Sequence, residues 1–274
     1  MRRLLTLPDT QRVYRTLRRP SSTSPDSSLS SNEDVFIELD LLDLDAERIS
    51  FFFNKVLTQI HSLQGSANTQ LCLINNAAVF LPSKDKDAFI TSLKVNVLGP
   101  LLLSSLLMKE FSSYKYTSSS LKLTIANISS GDGELLYLNS AIAEEIKNME
   151  SVEEVELYIN NLIHHFDPSF EYAFGDSPHY TLSKALLNAA TKALHYQENS
   201  VFEEKASLVR VVSICPANFL SKMTTKEELA AAEGEEESLI SVEEAAENVV
   251  NVVCGDWAIY PGGKFYRNRK LIPW

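Results

Sequence analysis

Three short apolar runs, each closed by a polar turn, constrain this chain more than any other feature. They are "TQLCLINNAAVF" from Thr69, "LKLTIANISSG" from Leu121 and "LVRVVSICPANF" from Leu208. Runs of this length without alternation read as strands buried on both faces. Long segments of helical spacing separate them: "AERISFFFNKVLTQIHSL", "KDAFITSLKVNVLGPLLLSSLLMKEF" and "TLSKALLNAATKALHY". Strands alternating with helices imply a parallel sheet covered on both sides, hence an α/β fold. Ligands of such sheets sit at the carboxyl ends of the strands. Asn75-Asn76, Ser129-Ser130 and Pro216-Ala217-Asn218 all fall there. Each pair or triplet alone reads equally well as turn residues. Their common placement on one rim makes the rim a candidate site.

The rest of the chain fits one domain over residues 1–274. Residues 21–34, "SSTSPDSSLSSNED", form a Ser-rich loop, and "VFIELDLLD" is a strand ending in acids. Residues 132–176 are mostly helical and acidic, as are residues 224–253. "GGKFYRNRKLIPW" reads as a final strand and tail. Gly99-Pro100 threatens a kink in its helix. A net charge of −11 argues against nucleic acid or an anionic membrane as partner. No apolar run reaches the ~18 residues of a membrane span. Cys72, Cys215 and Cys254 are far apart, which predicts reduced thiols and a cytoplasmic protein. The arginine-rich start "MRRLLTLPDTQRVYRTLRRP" is compatible with a targeting presequence or with the first folded elements. No metal site is expected.

Tyrosine stands four residues before lysine three times: Tyr180–Lys184, Tyr260–Lys264 and Tyr266–Lys270. Only the first lies in a helical pattern, where positions i and i+4 share a face. Pro261-Gly262-Gly263 interrupts the second. The third falls in a predicted strand, where the two residues stand about 13 Å apart.

In this setting the sequence resembles the short-chain dehydrogenase/reductase family. "INNAA" looks like its Asn-Asn-Ala-Gly turn, "KVNVLG" like the helix carrying its asparagine, and "IANISS" like the strand carrying its serine. "YTLSK" looks like its Tyr-x-x-x-Lys, and "CPANF" like its Pro-Gly turn. The long segment between Ser130 and Tyr180, including "MESVEEVELYINNLIHHF", is similar to the helical insertion of the carbonyl reductases, as is the tail ending in Trp274. The resemblance implies a Rossmann-like doubly wound parallel sheet with a helical insertion before the Tyr-x-x-x-Lys helix. It implies NADPH as cofactor, a small-molecule carbonyl substrate (ketone, aldehyde or quinone), and a monomer. Tyr180 is then the proton donor and Lys184 the cation that lowers its pKa. Ser130 holds the substrate oxygen, and Asn96 holds a water that relays protons. Asp40, Asn76, Ala77 and Pro216 join Tyr180 and Lys184 in contacting the cofactor.

The same resemblance predicts an N-terminally truncated version of the fold. The family opens with a strand and a Gly-rich phosphate turn, but no glycine precedes Gly65 here. "RLLTLPDTQRVYRTLRR" resembles the second strand and its helix, and "VFIELDLLD" the third strand with Asp40 on the adenine side. The absent strand is central in the family's sheet, so its loss predicts a gap there. Ala78 and Ala217 stand where the family has glycine, and Arg12 and Arg15 are the candidates for a 2′-phosphate contact. A non-catalytic protein that keeps the tetrad without a working cofactor site is the alternative expectation.

Overall fold

The structure is a computed structural model that describes residues 14–17, 35–38, 40–62, 70–113, 121–201, 208–219 and 239–274. Arg12, the side chain of Arg15, the Ser-rich loop, and residues 220–238 lie outside the described residues.

Five strands form the main sheet: β3 (Gln70–Asn75), β4 (Lys122–Ile128), β5 (Val209–Cys215), β6 (Phe265–Arg267) and β7 (Lys270–Ile272), neighbouring in that order. β3 to β6 run parallel and β7 returns antiparallel. The alternating pattern thus gives the expected parallel sheet. β5 is buried along its whole length and β4 through its central residues, as the unbroken apolar runs require. β3 differs. Only Asn75 of this strand is buried, and Leu71, Cys72, Leu73 and Ile74 are half-covered. The cause is its position, because β3 pairs with β4 on one side and with no other described strand. The expectation that all three runs are buried on both faces fails for this one.

Two further strands, β1 (Tyr14–Leu17) and β2 (Val35–Glu38), pair with each other in parallel as a separate two-stranded sheet. Residues 14–17 were expected in a helix; Val13-Tyr14 and Thr16 favour strand, and pairing with β2 decides it.

Helix α1 (Ala46–Ser62) starts at Asp45, whose carboxylate accepts the Arg48 N–H, and buries Ile49, Phe53 and Leu57. Helices α2 (Lys86–Leu93) and α3 (Gly99–Ser113) are joined through a π-helical turn, Lys94–Leu98. Pro100 has no N–H for the carbonyl four residues back, that of Asn96. The widened turn absorbs this defect, and Gly99 N–H bonds the carbonyl of Lys94 instead. The continuous stretch Lys86–Ser113 has the length and apolar composition of a membrane span, which run length alone did not reveal. Its residues Phe89, Leu93, Val97, Leu101, Leu107 and Phe111 are buried in the core.

The insertion contains two 3₁₀ turns, α4 (Ser140–Lys147) and α5 (Val152–His164). A capping box between Ser151 and Glu154 starts α5. Phe166 and Tyr172 then pack against Phe89 and the ring of His179, which ties the insertion to α2 and to helix α6 (Pro178–Val201). Helix α7 (Val242–Cys254) ends on the buried Arg210 of β5. That guanidinium donates to the carbonyls of Val252 and Val253 at 3.1 and 2.7 Å. The expected final strand is a β6–β7 hairpin. Asn268 and Arg269 turn it with positive φ angles of 50° and 63°, the geometry of a tight two-residue turn. Arg267, not Tyr266, therefore faces Lys270.

Candidate active site

The three polar strand ends do share one rim. Register aligns Asn75 with Asn127, and Asn127 with Ser213, one step below it. The Asn75 amide donates to Asn127 Oδ1 at 2.8 Å, and the Asn127 amide to Thr191 Oγ1 at 2.9 Å. Ser213 Oγ donates to Asn188 Oδ1, whose amide donates to the Gly133 carbonyl at 3.1 Å. This buried polar row fastens the sheet to α6 directly beneath the site. Nothing in the sequence flagged Asn127, Asn188, Thr191 or Ser213, because a polar residue inside an apolar strand or helix reads as neutral until its partner is known.

Tyr180 and Lys184 occupy the first turns of α6, on one face. The Lys184 ammonium lies 5.4 Å from the centroid of the Tyr180 ring. Both residues are buried. Lys184 Nζ donates to the Ile128 carbonyl at the end of β4, at 2.8 Å. Burial pulls the amine down from its ordinary value to about 8, opposed by Cys215 and Asp132. The Tyr180 ring meets the edge of Phe80, 5.2 Å between centroids, from the loop after β3.

Ser130 follows β4, two residues beyond the carbonyl that holds Lys184. Its turn presses onto α6. A Cβ at Gly133 would stand 2.9 Å from the Lys184 backbone, so glycine is required by close approach. Trp274 Nε1 donates to the Gly133 carbonyl at 3.0 Å and holds the turn from the other side. Ser130 Oγ donates to the Asp132 carboxylate at 3.1 Å and accepts from the Asp132 N–H at 3.3 Å.

Asn96 is buried in the π turn. Its Oδ1 accepts the Val79 N–H at 2.8 Å; its amide donates to the Val79 carbonyl at 2.9 Å and to Ser183 Oγ at 3.0 Å. The side chain thus clamps the loop after β3 onto α6. Both ends of the Asn96 side chain are thus engaged within the protein.

The remaining expected cofactor contacts are less concentrated. Asn76 and Ala77 are exposed in the loop after β3 and Pro216 is half-buried after β5. Asp40 is exposed, and its carboxylate accepts the N–H of Leu42 in its own turn. Ala217 adopts φ of 74°, the left-handed region where a side chain costs about 1–2 kcal/mol. At Asn76 and Ala77 the rim is open to solvent. It lacks, among the described residues, a Gly-rich strand–helix turn for the pyrophosphate.

No protein-family model and no curated protein matches the sequence. Solved structures do. An NADPH-bound carbonyl reductase from chicken fatty liver superimposes with a TM-score of 0.62 at 21% identity, over 100% of this chain and 92% of that one. The chain has a carbonyl-reductase-like fold. The Sniffer carbonyl reductase of D. melanogaster gives a TM-score of 0.59 at 18% identity, with the same coverage. A 4-hydroxyisoleucine dehydrogenase complexed with NADH and succinate gives 0.51 at 18% identity, over 87% of this chain and 79% of that one. Within this reductase-like fold, Tyr180 and Lys184 lie on the first turns of α6, Asn96 bonds Ser183 there, and the turn after Ser130 packs against Lys184 at Gly133.

Proposed function

We propose that this protein is an oxidoreductase that reduces the carbonyl of a small molecule with NADPH. The observation that carries the reading is the Lys184 ammonium held beside the Tyr180 ring at the carboxyl rim of a parallel sheet. When bound, a reduced nicotinamide supplies the hydride. The chain's own residues do the rest. Tyr180 gives its phenolic proton to the substrate oxygen. An ordinary tyrosine, of pKa about 10, is a weak acid near neutral pH, and a cation at this position favours its ionised form. Ser130 hydrogen-bonds the oxygen as negative charge develops there. A water on the Asn96 backbone carbonyl replaces the proton by way of Lys184. Asn76, Ala77 and Pro216 border the nicotinamide end, with Asp40 toward the adenine. All three cysteines are free, which supports a cytoplasmic protein. The insertion packed on α2 and α6 supports a monomer, since it covers a helix face that a second subunit would need.

A second reading, a protein with this tetrad but no turnover, is favoured by the methyl group of Ala217 in a left-handed turn. One experiment separates the two: calorimetric titration with NADPH, followed by carbonyl reduction with Tyr180→Phe as control. Micromolar binding, with turnover lost by about a thousandfold in the variant, is expected from removal of the acid. Turnover that survives the substitution refutes the proton-donor role, and a folded chain that binds no NADPH supports the second reading.

A further inference from the structure

Ser130 caps a turn that has few side chains of its own to place it. The 3₁₀ turn Gly131–Gly133 contains two glycines, and the bonds between Ser130 and Asp132 are internal to it. They set the shape of the turn but not where it stands. Its place has to come from contacts with other elements.

One grip comes from α6. A Cβ on Gly133 would stand 2.9 Å from the Lys184 backbone, and the Asn188 amide donates to the Gly133 carbonyl at 3.1 Å. A second grip comes from the β6–β7 hairpin. Register sets Arg267 of β6 level with Cys215 of β5, and the guanidinium lies over Gly131, 2.9 Å from where a Cβ would be. Arg267 Nη1 donates to Glu134 Oε1 at 3.0 Å. The two side chains are only 29% and 15% exposed, which sets this contact apart from an open surface pair. Trp274, just past β7, donates its indole N–H to the same Gly133 carbonyl at 3.0 Å, so both lone pairs of that oxygen are used. These contacts reach Ser130 through the backbone. The Gly133 N–H donates to the Ser130 carbonyl and the Glu134 N–H to the Gly131 carbonyl, each at 3.0 Å.

We propose that Arg267 and Trp274 are positioning residues of this site: they hold the turn against α6 and so fix the Ser130 hydroxyl relative to Tyr180 and Lys184. Arg267 acts through Glu134, and Trp274 through Gly133. The consequence for turnover rests on the reductase reading above; the clamp itself does not.

Arg267→Met and Trp274→Phe each remove one bond and keep most of the bulk. Arg267→Lys tests rescue, because the ion pair is made through a single nitrogen. Amide hydrogen exchange followed by NMR, in the protein without cofactor, reads the turn at the Gly133 and Glu134 N–H groups. Arg267→Met and Trp274→Phe are expected to speed exchange there about tenfold, with the amides of β4 and β5 unchanged, and Arg267→Lys to recover most of the protection. In carbonyl reduction, kcat is expected to fall about tenfold in the same two variants with NADPH affinity unchanged. Arg267→Met combined with Glu134→Gln is expected to lose no more than Arg267→Met alone, as partners in one contact do. Unchanged exchange at Gly133 and Glu134 in both variants overturns the clamp. So does faster exchange across the whole sheet that lysine does not rescue, which marks a general loss of stability. A loosened turn with an unmoved kcat overturns the positioning role. If the turn loosens as expected and wild type reduces no carbonyl, the functional reading falls and the clamp stands.

Discussion

β5 and β3 are both short apolar strands of one parallel sheet, yet β5 is buried at every residue and β3 only at Asn75. The difference lies in their neighbours. β5 has a strand on each side and α6 across its face; β3 has a strand on one side only. β5, against which α6 with Tyr180 and Lys184 packs, is therefore built on complete burial. β3, which leads into Asn76 and Ala77, is built on partial burial. The strand beneath α6 and the strand that leads into Asn76 and Ala77 thus stand on supports of unequal strength.

Paired truncations test that inequality most severely. Ile125→Ala in β4 removes a side chain with no exposure and is expected to cost about 4 kcal/mol, whereas Leu73→Ala in β3 costs about 1–2 kcal/mol. Urea unfolding measures both, and equal losses would mean that β3 is covered after all. Lys184→Met probes the strong half from within. The folded lysine titrates near 8 and the unfolded one near 10.5, so the buried charge destabilises the fold fully below pH 8. That penalty is relieved as pH rises from about 8 to 10.5. Allowing for the lost bond to Ile128, the variant is expected to be more stable by about 2 kcal/mol at pH 7, with the gain shrinking through that window. Thermal melts at pH 7 and pH 10 read the difference; a variant less stable at both would show that the ammonium is better solvated than its burial indicates. The smallest effect is at the rim. Ala217→Gly relieves a left-handed residue and is expected to stabilise by about 0.5–1 kcal/mol, net of the greater freedom of unfolded glycine, visible as a rise in Tm.

Much of this arrangement was legible in the sequence, and the failures are instructive. The order of strands and helices and the shared face of Tyr180 and Lys184 follow from periodicity, which the backbone obeys locally. The exposure of β3 could not be read, because an apolar run records its own composition and not whether a neighbour arrives. Asn127 and Ser213 went unmarked inside their strands and are bridges to α6, since hydrogen-bond partners 64 and 25 residues away leave no local mark. Arg210 was passed over inside a strand for the same reason, although it holds the end of α7. Pro100 was correctly suspected of disturbing its helix. The form of the disturbance, a π turn centred on Asn96, depended on packing around it.

The bond from Trp274 to Gly133 spans 141 residues. During synthesis, β4 and Ser130 leave the ribosome long before their clamp exists. At roughly 5–20 residues per second, the serine turn waits on the order of ten seconds for the tryptophan that secures it. Helix α6, with Tyr180 and Lys184, is made well within that interval. Assembly of this region is therefore vectorial: Tyr180 and Lys184 are made first, and the turn that carries Ser130 is clamped last.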